Sequence, residues 1–194
     1  MRTLRHVAAL FIVMGRIDQD EILLVLLAQQ GDVAAFEELL RRLHGPLRQY
    51  VNRMVGPSDA DDVMQDSAIR LYRNIRYLRE PAVFRAWAFR IATRIAWTYL
   101  KRSKRWQDLE NDPDLIRAMA AAPSSEREHF DRDYLELIDR VSPASRAALL
   151  LHYEQHLSLE ETAAILDVPV GTVKSRLSYG LASIRNQLEE NCKR

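Results

Sequence analysis

A proline that cannot continue a helix stands between two helix-forming runs, and it constrains the last third of this chain more tightly than any other feature. The stretch is SLEETAAILDVPVGTVKSRLSYGLASIRNQL, residues 158–188. Ser158 precedes Glu161 by three residues, the spacing at which each side chain satisfies a free backbone N–H of a first helical turn. Leu159, Thr162, Ala163 and Leu166 then recur at helical spacing, with Glu160, Glu161 and Asp167 expected towards solvent. Val168, before Pro169, is disfavoured in helical geometry, while Pro169 itself is comfortable only where a new helix starts, so the chain must turn. Beyond the turn, Val173, Leu177, Leu181, Ile184 and Leu188 form one apolar stripe that should face a core. Helix, tight turn and helix follow.

The expected outward face of the second helix carries Gly171, Thr172, Lys174, Ser175, Arg176, Ser178 and Tyr179. Short hydroxyls, cations and a phenol are groups that bond phosphates and base edges, and a helix N-terminus adds its own attraction for phosphate. A helical hairpin with a merely solvated polar face would show the same pattern, so the rest of the chain has to decide.

With 47% hydrophobic residues among 194, the chain can bury a core, and its formal net charge of +1 argues neither for nor against nucleic acid. Local charge is more telling. In the predicted helix from about Ala82 to Arg102, the expected buried stripe is Phe84, Trp87, Ala88, Ile91, Ile95 and Tyr99. Arg90, Thr93, Arg94, Trp97, Lys101 and Arg102 make the opposite face, and no acidic residue occurs between Arg85 and Arg105. A solvated face normally mixes signs. Cations with an indole among them suit an unpaired nucleic-acid strand, the cations following the backbone and the ring stacking on a base.

Upstream, amphipathic helices are expected over Asp18 to Met54: one with Ile22, Leu23, Leu26 and Leu27, one with Phe36, Leu39, Leu40 and Leu43 halting around Gly45 and Pro46, and one from Leu47 to Val55. DADDVMQDSAIRLYRNIRYL then reads as a long helix with Met64, Ala68, Leu71, Tyr72 and Ile75 on one side. Asp62, Gln65, Asp66, Ile69, Arg70 and Arg73 lie on the other, an acidic-then-basic face that suits either solvent or another protein. Between Trp106 and Asp133 the periodicity dissolves into Asp108, Glu110, Asp112 and Asp114 and then AMAAAPSSERE, the composition of a flexible acidic connector. Helical pattern resumes with Leu135, Ile138 and Val141, and Ser142 with Pro143 should cap a helix through Leu149, Leu150 and Tyr153.

Catalysis has no candidate residues: no strand-period segment, glycine-rich phosphate loop or paired nucleophile and base is present. Cys192 has no partner for a disulfide, which fits a reducing cytoplasm, and His152 and His156 share one-turn spacing with no further ligand near, so neither metal nor cofactor is expected. No apolar run reaches the roughly 20 residues of a membrane span. VAALFIVM at 7–14 lacks a small-residue cleavage site, and Met14, followed by GRIDQDE, is a second plausible start.

Taken in order, GDVAAFEELL, DADDVMQDSAIRLYRNI, FRAWAFRIATRIAWTYLKR and SLEETAAILDVPVGTVKSRL resemble successive signatures of bacterial RNA polymerase sigma factors of the extracytoplasmic-function (ECF) group. The resemblance implies an all-α protein of two small helical domains joined by a flexible acidic linker, the C-terminal one containing the helix-turn-helix. Its expected divisions are an N-terminal extension (1–17), a region 2-like domain (18–105), the linker (106–133) and a region 4-like domain (134–194). It further implies an alternative sigma factor, not an enzyme, that binds core RNA polymerase at the beta-prime clamp and beta flap and starts transcription at chosen promoters. Asp61, Asp62, Gln65, Asp66, Arg70 and Arg73 would hold the clamp; Arg90, Thr93, Arg94, Trp97, Lys101 and Arg102 the minus-ten element; Thr172, Lys174, Ser175, Arg176, Ser178 and Tyr179 the minus-thirty-five element. An anti-sigma partner and a stress-response role are implied as well. Family members often carry Asn and then Asp where this chain has Arg94 and Thr98, and basic residues where Tyr179 and Gly180 stand. A stand-alone helix-turn-helix regulator binding operator DNA as a dimer is the competing expectation.

Overall fold

The computed structural model describes residues 19–102 and 137–192. The expected N-terminal extension, the second start at Met14, the acidic linker and the helix start at Tyr134 lie outside the described residues. Those described form helices α1 (Gln19–Gln29), α2 (Val33–Val55), α3 (Pro57–Asn74) and α4 (Phe84–Arg102), then α5 (Pro143–Leu149), α6 (Leu159–Leu166) and α7 (Val170–Cys192). No strand occurs among them.

Local chemistry explains the helix ends. Asp32 caps α2 by accepting the Ala35 N–H at 3.0 Å, and Gly56, at φ 86, makes the turn that lets Pro57 open α3. Ser142 caps α5 by accepting the Ser145 N–H, with Pro143 in the first turn as expected. The capping box of α6 is formed in both directions, at 3.0 Å from the Glu161 N–H to Ser158 Oγ and 2.7 Å from the Ser158 N–H to Glu161 Oε2. Glu161 is therefore buried, not solvent-facing, because its carboxylate folds back onto the helix start. Asp167 ends α6 in the left-handed conformation at φ 59, and the first turn of α7 closes onto the Pro169 carbonyl.

Two helix expectations are corrected. The break at Gly45 and Pro46 does not occur: α2 runs through both, since Leu39, Leu43, Leu47, Tyr50, Val51 and Met54 stay on one buried face. Packing along that face outweighs the ~3 kcal/mol that an interior proline costs a helix. In α1 the inward residues are Val25 and Ala28, whereas Leu23, Leu26 and Leu27 are exposed.

In the N-terminal domain α2 packs against α1, α3 and α4. Tyr50 at its centre is fully buried, with its ring edge-on to Phe89 at 5.5 Å and its hydroxyl 2.8 Å from Thr93 Oγ1. Gln29 donates to the carbonyls of Ile75 and Leu78, at 3.1 and 2.7 Å, and so holds the α3–α4 connection against α1. In the C-terminal domain α7 lies across α5 and α6. The two domains touch: α6 packs on α4, and α5 approaches the end of α2.

Candidate nucleic-acid interface

Helix α4 is apolar or aromatic on most of its circumference, so its neighbours decide which sector is buried. The buried set is Phe84, Ala88, Phe89, Ala92, Thr93, Ile95, Ala96 and Leu100, a sector rotated from the expected stripe. Trp87, Ile91 and Tyr99 move to the half-buried flank. Thr93 is correspondingly not on the basic face; it is fully buried, donating to the Phe89 carbonyl at 2.7 Å beside Tyr50. Trp97 is half-buried against the core, so its indole is not the free stacking platform expected. Arg94, Lys101 and Arg102 are exposed and Arg90 half-exposed, which leaves a run of cations along one side of the helix.

Beside that run the rotation opens a cleft of about 300 Å³ lined by Arg70, Asn74, Tyr77, Trp87, Ile91 and Arg94. Its lining combines Trp87, Ile91 and Tyr77 with the cations Arg70 and Arg94, and Tyr77 is 67% exposed, with the Arg76 guanidinium 5.1 Å above its ring. A flat aromatic group carrying phosphate fits such a site: the ring finds Tyr77 and Trp87, the phosphate finds Arg70 and Arg94. Tyr77, Asn74 and Trp87 were missed by the sequence reading because they come from three elements. The available signal was an aromatic ring between Arg76 and Arg79 in a connection that had been read as helix.

On α3, Asp61, Asp62, Gln65, Asp66, Arg70 and Arg73 are all exposed, with Val63, Ser67 and Leu71 turned inward. Asp61 pairs with Arg48 at 2.7 Å, and Asp66 accepts the Tyr99 hydroxyl at 3.1 Å. Desolvation and then the Asp66 hydrogen bond hold the Tyr99 phenol above its ordinary pKa. Ile69 and Tyr72 are exposed on the same helix, Tyr72 resting edge-on against Phe36 at 5.1 Å. An acidic face with exposed apolar groups beside it has the composition of a protein-docking surface.

On α7 Lys174 is exposed, and Thr172, Ser175, Arg176 and Ser178 are half-buried. Tyr179 is corrected: it is 8% exposed and belongs to the interior, as does its neighbour Gly180. Burial lowers the Arg176 pKa, and its Nη1 makes no hydrogen bond, so an anionic or base-edge acceptor would relieve a desolvated donor. The apolar stripe holds for Val173, Leu177 and Ile184 but not for Leu188, which is 44% exposed.

The described residues contain no group of three His, Cys, Asp or Glu placed to hold a metal, and His152 Nδ1 lies 2.7 Å from the Leu157 carbonyl. None of their helices is long and apolar enough to cross a membrane.

Two helical domains, one with a cationic face flanking an aromatic cleft and the other with a helix-turn-helix, define a DNA-binding factor with two separate contact surfaces. Residues 36–106 match the family model for Sigma-70 region 2, and residues 131–184 that for Sigma-70, region 4. The ECF RNA polymerase sigma-E factor of Haemophilus influenzae is 32% identical over 178 residues, covering 86% of this chain and 94% of that one. The Escherichia coli K12 sigma-E factor is 31% identical over the same length. Among solved structures, CnrH in complex with the cytosolic domain of CnrY shares the fold at a TM-score of 0.64 and 22% identity, covering 88% of this chain and 98% of that one. RpoE in complex with the anti-sigma factor NepR from Bartonella quintana shares it at 0.62 and 20%, covering 81% and 98%. The chain belongs to the ECF RNA polymerase sigma factors. It is an alternative sigma factor, a transcription-initiation factor that acts with RNA polymerase at promoter DNA.

Proposed function

We propose that the domain spanning 18–105 binds the polymerase clamp through the exposed α3 face and reads the minus-ten element through α4, while the domain spanning 134–194 reads the minus-thirty-five element and meets the beta flap. The acidic linker over 106–133 joins them. The observation that carries this reading is the pairing, in one domain, of a cationic α4 side and its aromatic cleft with an exposed α3 face that is acidic at Asp61, Asp62 and Asp66 and turns basic at Arg70, where it meets the cleft. Arg90, Arg94, Lys101 and Arg102 follow the strand backbone, and Tyr77 and Trp87 receive a base. Thr172, Lys174, Ser175, Arg176 and Ser178 face the major groove. The polymerase performs the chemistry in the cytoplasm, and the factor itself is no enzyme. An anti-sigma factor controls it; the solved relatives CnrH and RpoE are each held by another protein, which supports this assignment.

The test is run-off transcription with purified core polymerase, with and without the protein, on fragments that include the promoter of its own gene. Discrete starts only in its presence are expected. No transcripts and no co-elution with core enzyme would replace this reading with a stand-alone regulator.

Two substitutions sharpen it. Arg176→Ala is expected to cost about 1 to 3 kcal/mol of holoenzyme binding at the upstream element, read by competition among variant sequences. Equal loss on every sequence would make Arg176 a phosphate contact. Asp62→Arg, on a residue exposed on α3, is expected to weaken core-enzyme binding by several kcal/mol through like-charge contact at the clamp, with an unchanged melting curve. Undiminished affinity in a pull-down with core enzyme would remove α3 from the clamp interface.

A further inference from the structure

The acidic face of α3 and the cationic end of α4 meet at one hydrogen bond. Tyr99, half-buried on the flank of α4, donates its hydroxyl to Asp66 Oδ2 at 3.1 Å, from 33 positions further along the chain. Asp66 lies on the face assigned to the clamp. Tyr99 stands just before Lys101 and Arg102, two of the cations assigned to the strand. Arg102 follows Tyr99 by three residues and so shares its side of the helix. The charges of Asp66, Asp62 and Arg102 all act on the phenol. Phenol, carboxylates and guanidinium therefore form one cluster at the seam between the two surfaces.

The bond adds little to the fold, because Leu100, 4% exposed, already secures this turn to the core and a hydrogen bond in contact with water contributes little net stability. What it fixes is placement. At mid-helix the hydroxyls of Tyr50 and Thr93, 2.8 Å apart, fasten α4 to α2. Beyond Leu100, α4 has only Lys101 and Arg102 before it ends, and the carbonyls of a last turn have no later helical residue to receive them. Such turns fray. Long cationic side chains on a fraying turn lose more freedom when a strand orders them, and a phenol held by α3 restrains the turn in advance. Desolvation, and then the bond to Asp66, keep that phenol protonated and so a donor. The bond uses Oδ2 and leaves Oδ1 of Asp66 for a cation of the clamp, so one carboxylate serves both surfaces.

We propose that Tyr99 is a positioning residue for the minus-ten strand: anchored on Asp66, it holds the Lys101–Arg102 turn where those cations meet the phosphates, and so ties strand binding to the clamp-bound face of α3. This rests on the sigma-factor assignment of the α3 and α4 faces given above.

The test uses the full chain in preformed holoenzyme at saturating core polymerase, so that a change in core affinity drops out of the measurement. Fluorescence anisotropy at several salt concentrations follows binding of a labelled non-template strand, taken from a promoter that run-off transcription with the parent has identified. Tyr99→Phe keeps the ring and its packing and removes only the donor, while Asp66→Ala removes the acceptor. Each is expected to weaken strand binding roughly three- to tenfold, and the double variant no further than the more affected single one. The salt dependence should become shallower by about one phosphate contact, while the melting curve of Tyr99→Phe matches that of the parent. A merely structural role would lower the melting temperature and leave the salt slope as it was. Parent-like strand affinity for Tyr99→Phe, a double variant whose loss is the product of the two single losses, or an unchanged salt slope overturns the proposal. Failure of the parent protein to direct transcription would overturn the sigma-factor reading instead.

Discussion

Arg146→Ala is expected to lower the melting temperature by about 6–12 °C and to uncouple the two domains. The side chain is only 7% exposed, yet its guanidinium serves carbonyls on both sides of the domain boundary. Within its own domain it donates to the Asp139 carbonyl and, at 3.2 Å, to that of Val141, fixing the short turn before α5. Across the boundary it satisfies Arg53 and Met54, whose carbonyls close the last turn of α2 and have no later helical residue to receive them. Truncation removes a five-donor fork and leaves buried acceptors behind, each costing about 1–3 kcal/mol unless water enters. Water can reach some of them once the domains part, so about 3 kcal/mol in total is expected, and in a chain of this size 1 kcal/mol corresponds to about 2–4 °C. Thermal unfolding followed by circular dichroism, together with the distance between donor and acceptor dyes on Glu37→Cys and Glu189→Cys in a Cys192→Ser background, checks both halves. A variant that melts with the parent and stays closed would show that Arg146 is dispensable.

Gly180→Leu is expected to cost the C-terminal domain about 3 kcal/mol and to abolish binding at the upstream element. Helix propensity predicts the reverse, since an interior glycine is about 1 kcal/mol worse than alanine. Space decides the sign. A Cβ at Gly180 would stand 2.6 Å from Leu149 Cδ1, 3.2 Å from its Cγ and 3.5 Å from Ser145 Cβ. Leu149 is itself fully buried, so α7 has to move away from α5, and the residues proposed above to face the major groove move with it. Gly180→Ala is the sharper comparison: urea unfolding should show a net loss despite the gain in propensity. A stabilised alanine variant would mean that Leu149 finds another rotamer at no cost.

A glycine that helix propensity alone disfavours is therefore a place where α7 packs tightly against Leu149 and Ser145 of α5. The same distinction runs through the molecule. The turn at Pro169, the capping box of α6 and the Ser142–Pro143 start of α5 were legible because each depends on a few neighbouring atoms. The outward side of α3 was legible because polar and apolar residues alternate there at clear helical spacing. Helix α4 was only half legible. Two different sectors of FRAWAFRIATRIAWTYLKR satisfy a helical period, and Tyr50 of α2, forty-three positions earlier than Thr93, selects between them. That choice took Thr93 inside, brought Trp87 to the cleft and half-buried Trp97.

By itself, then, the sequence determined the helices that local hydrogen bonding and periodicity can specify, the helix-turn-helix, the concentration of cations on α4 and the family signatures in their order. The tertiary structure alone decided how far α4 is rotated, that α2 continues through Pro46, that Tyr179 faces inward and that Asp167 meets Arg90 and Arg94. The physical reason is range. Caps and helical periods are interactions among residues a few positions apart, whereas the sector a helix buries and the partner a charge finds depend on surfaces that only the folded chain brings together.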